Sequence, residues 1–194
     1  MSVHRQWAER AVTAGILILV GSVALRAVGP SASPGRQTAI RTGTETVLVF
    51  IAATTCSGIE RPELLRAINT IRERLDGEAE RAGSRLVTLG VSLDWHLPDG
   101  AKLLERFGPF DEILVGRGWM NTGAVLYIWR EFPGRAGIPQ VLVFERSVKK
   151  GDAIEVTDER MLYRFVGAAR IEAWASSMGP TDIPDAALRP GEGS

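Results

Sequence analysis

The sequence predicts an α/β domain carried behind one N-terminal transmembrane helix, and three observations predict it. Residues 11–28 form a nearly uninterrupted apolar run. Further on, continuous apolar stretches rich in β-branched residues alternate with segments of helical periodicity, the pattern of buried strands separated by helices. The only cysteine, Cys56, ends the first of those strands and precedes a helical segment, and a proline, Pro139, opens the third.

The 194 residues are 45% hydrophobic, enough for one well-buried core plus an appendage. The 23 basic and 23 acidic residues are interspersed and cancel, which excludes nucleic-acid binding through a broad basic face. A single cysteine excludes an internal disulfide framework and a cysteine-rich zinc site. The two histidines, His4 and His96, lie far apart, so the expectation is no metal centre and no cofactor.

In chain order, the first element is the anchor. As a helix, residues 11–28 span about 27 Å, close to the hydrocarbon thickness of a bilayer. Ile16, Leu17, Leu19 and Val20 lie at its centre. Trp7 suits one interface, and Arg26 can snorkel to the other. A cleaved signal peptide is the alternative reading; the lack of a small-x-small site directly after the run favours an anchor. Arg5 and Arg10 before the segment do not outweigh Arg26, Arg36 and Arg41 after it. The short N-terminal side favours an N-terminus in the cytoplasm, with the domain on the periplasmic side of an inner membrane. Membrane lipid is then one partner.

Residues 29–43 are a Pro/Gly/Ser linker. The domain is expected over 44–178, followed by an irregular tail over 179–194. Val47–Ala53 reads as a buried strand. A helix follows Cys56 directly, with Ile59, Leu64, Leu65, Ile68, Ile71 and Leu75 on its apolar face. Arg85–Leu93 is a second buried strand, Asp94–Gly100 a turn, and the segment through Leu103, Leu104 and Phe107 a short helix. Glu112–Val115 is a short strand, and Trp119–Trp129 an aromatic-rich helix. Gly137–Glu145 gives a third buried strand, Arg160–Gly167 a partly exposed antiparallel one, and Ile171–Met178 a closing helix.

The order strand, Cys-turn-helix, strand, helix, Gly137-Ile138-Pro139-strand, strand, helix resembles the thioredoxin-like superfamily over Thr44–Met178. It is most similar to membrane-tethered extracytoplasmic thioredoxin-like and redoxin proteins. The resemblance implies a three-layer fold with a central mixed sheet. It also implies a cis Ile138–Pro139 peptide facing Cys56 that offers backbone hydrogen bonds to a bound peptide. The departures are specific. The second cysteine of the family's Cys-x-x-Cys is Ile59, the preceding tryptophan is Thr55, and the buried acid falls at Phe50 or its neighbour. The peroxiredoxin threonine is Ala53. With no second thiol, intramolecular disulfide exchange is impossible.

Cys56 is therefore read either as a buried relic packed like a small hydrophobe or as a reactive thiol. His96 reads as a solvated turn residue, and Thr54 and Thr55 as groups completing the end of a strand. The aromatic insertion is core or an exposed docking patch. The leading functional expectation is a non-catalytic, membrane-anchored accessory subunit that docks on protein subunits of a larger membrane complex. A bacterial bioenergetic assembly, photosynthetic or respiratory, is the context considered. The alternatives are a monothiol redox protein, using Cys56 for mixed-disulfide or peroxide chemistry, and a peptide-binding module using the proline loop.

Overall fold

The computed structural model describes residues 41–177; the anchor residues Trp7, Ile16, Leu17, Leu19 and Val20, most of the linker, and the tail lie outside them. Among the described residues no helix is long and apolar enough to cross a membrane.

Apolar runs too hydrophobic to face water on either side become the central strands. β1 (Gly43–Ala52) and β2 (Arg85–Ser92) pair in parallel, and β3 (Glu112–Leu114) adds in parallel beyond β2. On the other flank β4 (Gln140–Lys150) runs antiparallel to β1, and β5 (Ile154–Val166) antiparallel to β4. The sheet order is β3-β2-β1-β4-β5. Every residue of β1 from Glu45 to Ala52 is buried, as a strand covered on both faces requires.

The two faces are covered differently. α1 (Pro62–Arg81), α2 (Leu97–Phe107) and α4 (Ala168–Ser177) lie on the face of Leu48 and Phe50. Phe50 meets Phe107 of α2 at 4.8 Å between ring centres. Trp174 of α4 stacks on Phe165 at 4.5 Å, and Phe165 pairs through Val141 with Phe50 across the strands. The opposite face, bearing Val47, Val49 and Ile51, is covered by the insertion between β3 and β4. Tyr127 and Phe132 of that insertion pack on Phe144 at 5.8 and 4.9 Å. The result is three layers with a central mixed sheet.

Three sequence expectations need correction. The helix does not follow Cys56 directly: residues 54–60 form consecutive turns, with Gly58 at φ +79°, and α1 begins only at Pro62. A proline lacks the N–H that a helix interior needs but fits its first position, so Pro62 sets the start. Residues 119–129 are not one helix. They divide into a 3₁₀ turn (Gly118–Met120), the one-turn α3 (Thr122–Ala124) and a π-helical turn (Val125–Arg130). The break falls at Asn121, whose ψ of 140° is not helical and whose side chain caps the next turn by accepting the Gly123 N–H. Finally, β4 and β5 extend well past Glu145 and before Arg160 as a hairpin, whose outer strand is exposed from Ile154 to Arg160. That exposure hid it, because no buried face imposes a period on those residues.

Candidate functional site: the Cys56 turn

The carboxyl ends of β1 and β2 carry the site. Beyond Ala52 the chain turns so that the Cys56 N–H donates to the Ala53 carbonyl at 3.0 Å, while Cys56 Sγ accepts from the Ala53 N–H at 3.1 Å. The thiol is 8% exposed and belongs to the core with Ala53 and Ile59. Ile59, three residues on, is 2% exposed and packs as an ordinary core side chain.

Beside this turn lies a buried polar network that sequence reading did not assemble. Asp94, just past the end of β2, accepts from the Thr54 N–H at 3.1 Å, from the Thr54 hydroxyl at 2.6 Å and from the Ser92 hydroxyl at 2.7 Å. Its own N–H donates to Ser92 Oγ at 3.1 Å. Asn121 completes the floor, donating from Nδ2 to the Gly116 carbonyl at 2.9 Å and accepting the Gly123 N–H at 2.8 Å. Thr54 thus completes the end of its strand, as its position suggested, through a carboxylate rather than water. In the sequence Asn121 falls inside the expected Trp119–Trp129 helix, and Asp94 falls in the expected turn; neither carries a signal for this network, although an asparagine before a helical turn is a favoured N-cap.

Electrostatics here oppose a thiolate. Burial pushes the Cys56 thiol up to about 11; the Ala53 hydrogen bond lowers it somewhat, and the nearby Asp94 charge raises it further. The helix N-terminus that would stabilise a thiolate begins six residues later and does not contain Cys56. Alkylation by iodoacetamide at pH 7.5 is therefore expected to run at least about 100-fold slower than for a free cysteine, since two units of pKa remove two decades of thiolate. The rate should climb about tenfold per pH unit up to about 11. Stability follows in the same window. The folded state holds the proton more tightly, so stability is complete below about pH 9 and falls as the pH rises towards 11, at up to about 1.4 kcal/mol per unit. Cys56→Ser should flatten that fall in unfolding curves taken between pH 8 and 11.

Ile138 and Pro139 lie at the same end of the sheet: Gln140 pairs with Ile51, so Pro139 stands one position beyond, level with Ala52. The Ile138–Pro139 peptide is cis. The Pro139 carbonyl accepts the Gly167 N–H at 2.7 Å, tying the loop to the start of α4. His96 is exposed at the N-cap of α2, with no cap hydrogen bond from its side chain. Among the described residues no three His, Cys, Asp or Glu side chains converge as metal ligands would.

Strand order, strand directions and the position of the Cys56 turn are those of a thioredoxin-like fold. No family model matches the sequence, and no curated protein matches it. Among solved structures, the solution structure of apo Sco1 protein from Thermus thermophilus is similar at 19% identity. The match covers 66% of this chain and 73% of that one, with a TM-score of 0.36. That similarity carries nothing about ligands or chemistry to this chain.

Proposed function

We propose that this protein is a non-catalytic, membrane-anchored accessory subunit whose thioredoxin-like domain docks on and stabilises a larger membrane complex. The observation that carries the reading is the state of Cys56. It is buried, its thiol is pushed up to about 11, and it is the only cysteine in the chain. A thiol–disulfide enzyme needs an accessible thiolate and a second thiol to release the mixed disulfide. A peroxidase needs the thiolate as nucleophile. The apolar run over 11–28 supports tethering to an inner membrane, with the domain on the periplasmic side. A bioenergetic assembly, respiratory or photosynthetic, is the proposed host.

Solubilisation in mild detergent followed by native separation and mass spectrometry tests this. The chain is expected to migrate with other membrane subunits at fixed stoichiometry, and its deletion to reduce the yield of that same complex. Recovery of the chain alone and monodisperse overturns the proposal. So does any insulin reduction or peroxide consumption that Cys56→Ser abolishes.

A further inference from the structure

Towards the amino end of β1, away from the Cys56 turn, a cleft of about 330 Å³ opens between the last turns of α1 and the β4–β5 hairpin. Leu75 and Ala79 of α1, Ala82 at its end and Leu162 of β5 give it apolar sides. Thr46 and Tyr163 border the cleft as well, and each is only 8% exposed. Thr46 stands two positions before Leu48, on the face that the helices cover, and the Tyr163 ring is held there by Trp174 of α4 at 5.3 Å between centres. Among the described residues neither the Thr46 nor the Tyr163 hydroxyl has a hydrogen-bond partner. Buried hydroxyls are ordinarily satisfied, so the cleft is left to supply the partner.

The charges around the cleft select its ligand. Glu145 is paired with Arg160 at 2.7 Å. That leaves the exposed Glu78 as the bordering carboxylate with no ion pair among the described residues. Arg81 turns back along its own helix, its Nε on the Gly77 carbonyl at 3.0 Å. α1 ends here, and the carboxyl end of a 20-residue helix adds partial negative charge. The Tyr163 phenol feels the same field: burial holds it above its ordinary value, and the Glu78 and Glu145 charges raise it further against Arg160. We propose that this cleft binds a small organic ammonium, its charged end donating to Glu78 and to the Tyr163 hydroxyl oxygen, its apolar body lying against Leu75, Ala79 and Leu162. An ammonium only donates, and a carboxylate and unpartnered hydroxyl oxygens can all accept. An anion would be repelled by Glu78, and a neutral ligand would forgo the charge-assisted bond. The volume lies at the small end of the range for ligand pockets, which suits an amine with one ring or a short alkyl chain.

The chain has two tyrosines, Tyr127 and Tyr163. Fluorine NMR of the full chain in mild detergent, labelled with 3-fluorotyrosine, therefore gives one signal in the cleft and one internal control in the insertion, and Tyr127→Phe assigns them. The probe is 2-phenylethylamine at about pH 7, where the amine is protonated. Its addition is expected to move the Tyr163 signal saturably, with half-saturation below about 5 mM, and to leave the Tyr127 signal in place. Glu78→Gln, at an exposed position, should weaken binding at least about fivefold, as should exchanging the probe for the uncharged 2-phenylethanol. Ala82→Leu fills the cleft from its exposed end and should remove the shift. No saturable movement of the Tyr163 signal overturns the proposal, and so does equal movement of both signals, which shows partition into detergent. Binding of the alcohol as tight as that of the amine, or binding unchanged by either substitution, overturns it too.

Discussion

Asp94→Ala is expected to lower the unfolding free energy by about 2–3 kcal/mol, the range for losing hydrogen bonds to a charged acceptor. Asp94 joins the two central strands where the chain leaves both: it holds the Thr54 N–H and hydroxyl on one side and the Ser92 hydroxyl on the other. Alanine would leave these donors without their acceptor. Thr54 is partly reached by water, which keeps the loss below the cost of a fully dry site. Ser92 is 0% exposed and has no such relief. The second consequence is chemical. Asp94 raises the Cys56 thiol and anchors the turn that buries it, so Asp94→Ala should speed Cys56 alkylation at pH 8. Urea unfolding and alkylation rates measured on the same variant check both. An unchanged midpoint would show that the network is not a structural tie. Ser92→Ala, which removes one donor along with part of the network, should cost only about 1 kcal/mol.

The largest expected loss is at the other end of β1. Glu45 is 1% exposed and lies in one row across three strands, opposite Arg85 of β2 and Arg146 of β4. Its Oε1 accepts from Arg85, through Nε at 2.8 Å and through Nη2, and its Oε2 from Arg146 at 2.8 Å. Removing one partner of a buried ion pair typically costs about 3–5 kcal/mol. Both arginine side chains keep about a quarter of their surface in water, which brings the expectation for Glu45→Ala to about 2–4 kcal/mol. Two like charges then face each other across β1, so added salt should recover part of the loss. Thermal unfolding at low and high ionic strength reads this. Replacing all three residues by apolar ones of similar size should restore most of the stability, because the cost lies in the uncompensated charge rather than in the absence of the pair.

How far the fold could be read in advance depended on whether a residue's neighbours were local. Val47–Ala52 and Arg85–Ser92 could be placed because a strand buried on both faces is apolar throughout, and that pattern needs no knowledge of its partners. α1 was legible from Leu64, Ile68, Ile71 and Leu75, whose spacing repeats the helical turn. Its start was misplaced because Pro62 is allowed inside a first turn as well as at its opening, and Gly58 at positive φ gives no periodic signal. The insertion is not a single helix because Asn121 leaves helical geometry at ψ 140° and its side chain bonds the Gly116 carbonyl and the Gly123 N–H, contacts that apolar periodicity does not record.

Much the same division holds for the site. The sequence by itself determined that these 194 residues cannot run dithiol exchange among themselves, since Cys56 is their one thiol. It also placed Cys56 and Pro139 at strand ends. Only the tertiary structure decided what Cys56 is: whether a thiol is a nucleophile depends on solvent and nearby charge, and those come from Ala53, Ile59 and Asp94 once the strands are side by side. It also made a hydrogen-bonded junction of Asp94, which as sequence is one acid in a polar turn, and set the exposed Trp119 and Trp129 side by side. Covalent order records which groups a chain possesses; burial and mutual distance, which set their reactivity and their reach, exist only after folding.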